Sequence, residues 1–227
     1  MPSTQAAAPS APASTPVAPT ASKTVKIAMY GDSTVWGVTF ETGAYTQSPH
    51  NQPVSLQYAL QQKYGASVTV DNRAVPGATC PELLWGQSPA TTSWTQEMAH
   101  SDAQIITMSC AINDSFRPNE TDQDFQFIYG QFAQIARQYG KTFIIMTPNP
   151  ISDPHNQNIW SLVHDEQYVA QVQQVNIIDQ WDTIQATIPG WASHLADKYH
   201  PDDMLYEYES QTSAEVIGPI VQSLLSG

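Results

Sequence analysis

The chain has 227 residues, 13% of them charged and 41% hydrophobic, with a formal net charge of −13 at pH 7. That length can bury a full core in one domain without disulfide or metal staples. Such an excess of acid repels nucleic-acid phosphates and anionic membrane surfaces, and no apolar run approaches the roughly 20 residues of a membrane helix.

Residues 1–22 are almost entirely Ala, Pro, Ser and Thr and carry no charged side chain. Such a segment cannot offset its ordering entropy by burial, so it reads as a disordered linker ahead of a folded domain at 23–227. It lacks the basic start and apolar stretch of a secretory signal. Tails of this composition join domains to anchors or modules outside the cytoplasm, so an extracytoplasmic protein is expected: periplasmic, secreted or surface-tethered. A monomer is expected.

Short runs rich in Ile and Val then recur: Val25–Tyr30, Val68–Asn72, Gln104–Ser109, Thr142–Met146 and Val175–Ile178. They are mostly not alternating, as in strands buried on both faces. Between them lie segments of helical spacing. Val54–Tyr64 sets Leu56, Leu60 and Tyr64 on one face, and Phe125–Tyr139 does the same with Phe125, Ile128, Phe132, Ile135 and Tyr139. Ser213–Leu225 closes the chain as a third amphipathic stretch. Strand and helix in alternation predict a parallel sheet with right-handed crossovers, and in such sheets ligands sit beyond the carboxyl ends of the strands.

The residues after those strand ends are Gly31-Asp32-Ser33-Thr34, then Gly77 in the segment 73–78, then Ala111-Ile112-Asn113-Asp114; the last crossover reaches Asp197-Lys198-Tyr199-His200-Pro201. A serine hydroxyl becomes a nucleophile only when a base takes its proton, and that base must be held in one tautomer by an acceptor. Ser33 at a strand-to-helix turn is the candidate nucleophile, His200 the base and Asp197 the acid that orients it. The Ser33 N–H near the start of a helix, the Gly77 N–H and the Asn113 amide are candidate oxyanion donors. Asp32 and Asp114 read as turn-holding acids.

This set in this order resembles the SGNH hydrolases, also called GDSL-type esterases and lipases. The resemblance rests on Gly31-Asp32-Ser33, Gly77, Asn113-Asp114 and Asp197-x-x-His200, and spans residues 31–200. It implies a three-layer α/β/α sandwich around a parallel sheet of about five strands, a flavodoxin-like arrangement. It also implies ester hydrolysis through an acyl-enzyme on Ser33, with His200 and Asp197 in the roles above and no metal or cofactor. Two departures stand out: the first block has Thr34 where Leu is usual, as among carbohydrate acetylesterases, and the third has Ala111 where Gly is usual. A methyl group there would narrow the site or shift Asn113.

The expected substrate is a small-molecule or polysaccharide ester, with acetyl on a carbohydrate first. A lysophospholipase or thioesterase acting on longer chains is the first alternative, and a carbohydrate-binding module with little turnover the second. Trp36, three residues past Ser33, lines either the pocket or the core. Trp85 and Trp94 bound a Gly/Ser/Thr-rich stretch that suits a substrate wall, and Arg73 and Arg117 pair with either a substrate anion or a structural acid. His194, also three residues from Asp197, is the rival base, and His155 is placed at the rim. Cys80 and Cys110 are either buried thiols or, if the Gly77 and Asn113 blocks meet, a disulfide bracing both donors.

Overall fold

The computed structural model describes Met1 and residues 23–40, 43–117, 121–154 and 156–227. Residues 2–22 of the expected linker and His155 lie outside the described residues. The chain opens with β1 (Val25–Gly31), one turn of helix α1 (Ser33–Trp36), and an antiparallel ribbon of β2 (Val38–Thr39) and β3 (Thr46–Gln47). There follow α2 (Gln52–Tyr64), β4 (Val68–Asn72), α3 (Cys80–Trp85), α4 (Trp94–His100), β5 (Ile105–Ser109), α5 (Ala111–Asp114), α6 (Asp122–Gln138) and β6 (Thr142–Met146). The last part runs through α7 (Asn156–Gln173), β7 (Asn176–Ile178), α8 (Gln180–Thr187), a 3₁₀ turn at Trp191–His194 and α9 (Asp203–Ser226).

All five expected strands form, and they pair in parallel in the order β4-β1-β5-β6-β7. Successive residues of each strand bury to opposite faces, which creates the three layers. Ile27, Met29, Ile105 and Ile144 pack with Leu56 and Leu60 of α2 and Ile217 and Val221 of α9. Their neighbours Ala28, Tyr30, Ile106, Met108 and Ile145 face the other way, onto Leu83, Trp94, Phe125, Phe132 and Val163 of the helices from α3 to α7. Each of these fully buried aliphatic or aromatic side chains stabilises the fold by roughly 1.5–3 kcal/mol.

The helix starts follow local chemistry. Asn51 accepts from the Val54 N–H ahead of α2, and Thr121 and Asp124 form a capping box at α6. The final helix is longer than its apolar periodicity predicts. It begins at Asp203, where Asp202 caps the Leu205 N–H, and not at Ser213. The extra turns bury Leu205 and Tyr206 but also Glu209 and Ser210, and those polar residues interrupt the stripe.

The chain starts in β1, builds β4 on one side, then crosses to build β5 on the other. The crevice where the winding reverses therefore lies beyond the ends of β1 and β5, at the register pair Gly31–Ser109.

Candidate active site

Gly31 is required at that pair by close approach. A Cβ there would sit 2.3 Å from the Ser109 carbonyl oxygen and 2.6 Å from Cγ2 of Val35. The next residue, Asp32, donates its N–H to the Ser109 oxygen at 3.2 Å and caps α1. Its carboxylate accepts from the N–H and the hydroxyl of Thr34, both at 2.9 Å. Burial pushes the Asp32 carboxyl up, against the pull of those two bonds. Asp32 thus holds the turn, and it leaves Ser33 as the first residue of α1 with its hydroxyl at the crevice.

His200 arrives from the far end of the chain on a tight turn. Leu195 bridges Pro201, and the Ala196 N–H donates to the His200 carbonyl at 2.8 Å. Inside the turn, Oδ1 of Asp197 accepts the backbone N–H groups of Tyr199 and His200 at 2.7 and 2.8 Å. Its Oδ2 meets Nδ1 of His200 at 2.8 Å, and Nε2 of the same ring meets the Ser33 hydroxyl at 2.9 Å. Burial raises the Asp197 carboxyl, but the hydrogen bonds from the His200 ring and from both N–H groups outweigh it and hold the group down at about 2. The ring is anchored at one nitrogen by a permanent anion and bonded at the other to a hydroxyl, which is an arrangement suited to proton transfer. His194 is elsewhere: its Nδ1 turns to Asp202 at 3.0 Å.

Two further segments complete the rim. Gly77 sits at φ +79, a backbone conformation that penalises side chains, and is exposed. Asn113 lies in α5, directly after β5, and donates one amide proton to the Ala78 carbonyl at 2.9 Å. Cys80 and Cys110 are joined in a disulfide, and both are fully buried. The Cys80 N–H also bonds the Asp114 carboxylate at 3.0 and 3.1 Å. Three links therefore tie the Gly77 segment to the Asn113 segment. Ala111 is fully buried in the core cluster, so its methyl group takes no space from the crevice.

Aromatic rings surround the imidazole. Tyr45, from the β2–β3 ribbon, lies edge-on to His200 with centroids 5.9 Å apart and leans on Phe40. Tyr199 also lies edge-on to it, with centroids 6.3 Å apart, packed against Phe116 and hydrogen-bonded to Asp153 at 2.8 Å. Sequence reasoning passed over Tyr45, Phe116 and Tyr199; the only signal for Tyr45 is the Gly43 turn that makes its ribbon.

The other expected contacts divide. Trp94 is core and not wall: its ring is 1% exposed, lies edge-on to Tyr30, and donates Nε1–H to the Phe132 carbonyl. Arg117 pairs with Glu82 at 2.9 Å, and Arg73 pairs with Glu97 at 2.8 Å. Trp85 ends α3 with an exposed ring. Trp36 ends α1 half-buried, and its carbonyl accepts from Asn72 and Gln47.

A parallel five-stranded sheet with helices on both sides, and a crevice at the reversal of its winding, is the architecture of the α/β hydrolytic enzymes that this structure matches. Residues 29–208 match the GDSL-like lipase/acylhydrolase family. The chain belongs to that family and is an ester hydrolase. A search of curated proteins by sequence finds no match. Among solved structures, a catalytic mutant of an acetylxylan esterase from Geobacillus stearothermophilus superposes with a TM-score of 0.69 at 17% identity, over 86% of this chain and 95% of that one. An alpha/beta hydrolase from the metagenome of Lake Arreo gives 0.70 at 15% identity, over 87% and 96%. A lipase/acylhydrolase from Enterococcus faecalis gives 0.65 at 18% identity, over 87% and 97%. At these identities the likeness is one of fold.

Proposed function

We propose that this chain hydrolyses esters of small acyl groups, acetyl first, carried on carbohydrate, with Ser33 as nucleophile. The observation that carries the reading is the unbroken chain of hydrogen bonds from the Ser33 hydroxyl through His200 to Asp197. Ser33 Oγ attacks the ester carbonyl carbon while Nε2 of His200 takes its proton. Asp197 holds the resulting imidazolium by its Nδ1–H. Negative charge gathers on the carbonyl oxygen, which receives the N–H groups of Ser33 and Gly77 and the second amide proton of Asn113. His200 returns its proton to the departing alcohol, and water then releases the acyl group from Ser33 by the same steps in reverse.

Rings near the nucleophile support a sugar as the alcohol. Tyr45 and Tyr199 flank His200, and Trp36 and Trp85 are the further candidate contacts, since aromatic faces stack on the C–H faces of pyranose rings. The acetylxylan esterase that shares the fold is consistent with this reading. Arg117 is a brace between α5 and α3 and not a substrate contact, because Glu82 already holds it. The Cys80–Cys110 disulfide supports an extracytoplasmic setting, since such bonds persist in oxidising compartments. No helix among the described residues is long and apolar enough to cross a membrane.

One observation favours the longer-chain reading. A groove of about 880 Å³ between α2 and α9, with Val54, Tyr58 and Met204 in its wall, begins at Asp203, three residues past His200. The test is an ester panel from acetyl to palmitoyl, with acetylated sugars included, run on the parent protein and on Ser33→Ala. The proposal expects hydrolysis to fall as the acyl chain lengthens and to vanish in Ser33→Ala with an unchanged melting curve. Full activity in Ser33→Ala removes that serine from the mechanism, and a rise beyond about eight carbons moves the assignment to lipid or thioester substrates, since each buried methylene is worth ~0.8 kcal/mol.

A further inference from the structure

On the side of the molecule away from α2 and α9, the pair α6 and α7 presents rings to solvent. Trp160, His164, Tyr168 and Val172 recur every fourth residue along α7, all exposed, and the Trp160 and His164 rings touch, tilted at 52° with centroids 3.9 Å apart. Phe127 of α6 faces Tyr168 across the groove between the two helices. Phe127, Tyr168 and Val172 are 56%, 53% and 56% exposed. A helix face that met only water would carry polar residues at this spacing.

The groove has a volume of about 300 Å³, and its polar lining consists of three carboxamides, Gln123, Gln126 and Gln173, and the Tyr168 hydroxyl. No lining residue is charged, on a chain whose net charge is −13. A carboxamide both donates and accepts, as a hydroxyl does, and aromatic rings stack on C–H faces. A phosphate or a charged peptide finds no counter-charge here, whereas an uncharged sugar chain finds both kinds of contact.

The stripe also leads from the active site. Asn158, two residues before Trp160, donates to the carbonyl of Ser115, which caps the short helix that carries Asn113. From there each four-residue step advances ~6 Å along α7, a spacing comparable to one pyranose unit per ring.

We propose that the α6–α7 face is a second binding site, for a neutral polysaccharide, and that it holds the polymer whose esters Ser33 cleaves. The inference rests on the reading of the chain as a carbohydrate esterase. Its test separates the two. The full chain carrying Ser33→Ala is run in native gels containing xylan, glucomannan, galactan or mixed-linkage β-glucan, beside the same chain with Phe127→Ala, Trp160→Ala and Tyr168→Ala added. At least one polymer should retard the first protein, and the added substitutions should weaken that retardation at least tenfold. In the parent background the three substitutions should leave p-nitrophenyl acetate hydrolysis and the melting curve unchanged, and should raise KM without changing kcat on the acetylated form of the retarding polymer. Equal retardation of both proteins, or no retardation by any of the four polymers, overturns the proposal. A shift in oligomeric state on size exclusion, with polymer binding unaffected, also overturns it and assigns the face to a second copy. Loss of the esterase reading alone would show instead as an absence of p-nitrophenyl acetate hydrolysis in the parent protein.

Discussion

Asn113 has two amide protons, and one of them is committed to the Ala78 carbonyl. That bond fixes the plane of the amide, and in the proposed mechanism it leaves the second proton for the developing oxyanion, so the donor needs no reorganisation during the reaction. Asn113→Ala should lower kcat about 10²–10³-fold with little change in KM, read from steady-state hydrolysis of p-nitrophenyl acetate. Asp197 makes a prediction about stability. Its folded value of about 2 lies below the ordinary 3.8, so the stabilisation it gives is complete above 3.8 and is lost as pH falls toward 2. Solvent reaches this carboxylate, which limits the contribution to on the order of 1 kcal/mol. Urea unfolding should show Asp197→Asn less stable than the parent by about that amount near pH ~6, with the gap closing as pH falls through the interval from 3.8 toward 2. The candidate triad is legible in the sequence: Ser33 by its strand-end position, Asp197 and His200 by residue type, spacing and chain order, and the structure brings the three within hydrogen-bond distance. Tyr45 is not legible there, because it reaches His200 only through the ribbon formed by two-residue strands, which carry no periodicity.

Among the elements, α3 and α5 act as one unit. They are joined by the disulfide, by Cys80 to Asp114, and by Arg117 to Glu82, whose other oxygen caps α3 at Thr79. Replacing both cysteines by Ala opens a loop of sequence separation 30 and should cost about 3–4 kcal/mol in thermal unfolding. It should also lower kcat, because Gly77 and Asn113 sit at either end of that link; an unchanged kcat would show that the two hydrogen bonds suffice. The helices reveal where periodicity fails. In α7 the buried residues Ile159, Leu162, Val163, Glu166, Val169 and Ala170 follow helical spacing, but a carboxylic acid occupies the centre of the stripe. Glu166 is accommodated there because it hydrogen-bonds the Tyr129 hydroxyl. Trp94 was equally opaque: an indole in a Gly/Ser/Thr-rich stretch reads as exposed until its N–H partner, the Phe132 carbonyl, is seen.

The molecule as a whole carries its acid in two ways: most carboxylates lie at the surface, but Glu209 is 2% exposed, and its Oε1 has no hydrogen-bond partner among the described residues. Burial pushes its carboxyl well above the ordinary 4.5, so the fold favours the protonated form more strongly than the unfolded chain does. Stability from this group is therefore complete below 4.5 and falls as pH rises toward the folded value, the reverse of Asp197. Glu209→Met keeps the volume and removes the penalty. It should raise unfolding stability by about 1–3 kcal/mol, with a gain that grows with pH, read from melting curves across the pH range.

The pairing of β1 with β5 matches Ile27 to Ile105 and Gly31 to Ser109, partners that are distant in the chain. No local segment of this polypeptide can therefore assemble the proposed centre by itself: Ser33 follows one strand of that ladder, Asn113 the other, and His200 reaches Ser33 from further still. Such non-local closures are slow steps in renaturation. Recovered turnover would accordingly mark the end of refolding, arriving after helical content has returned.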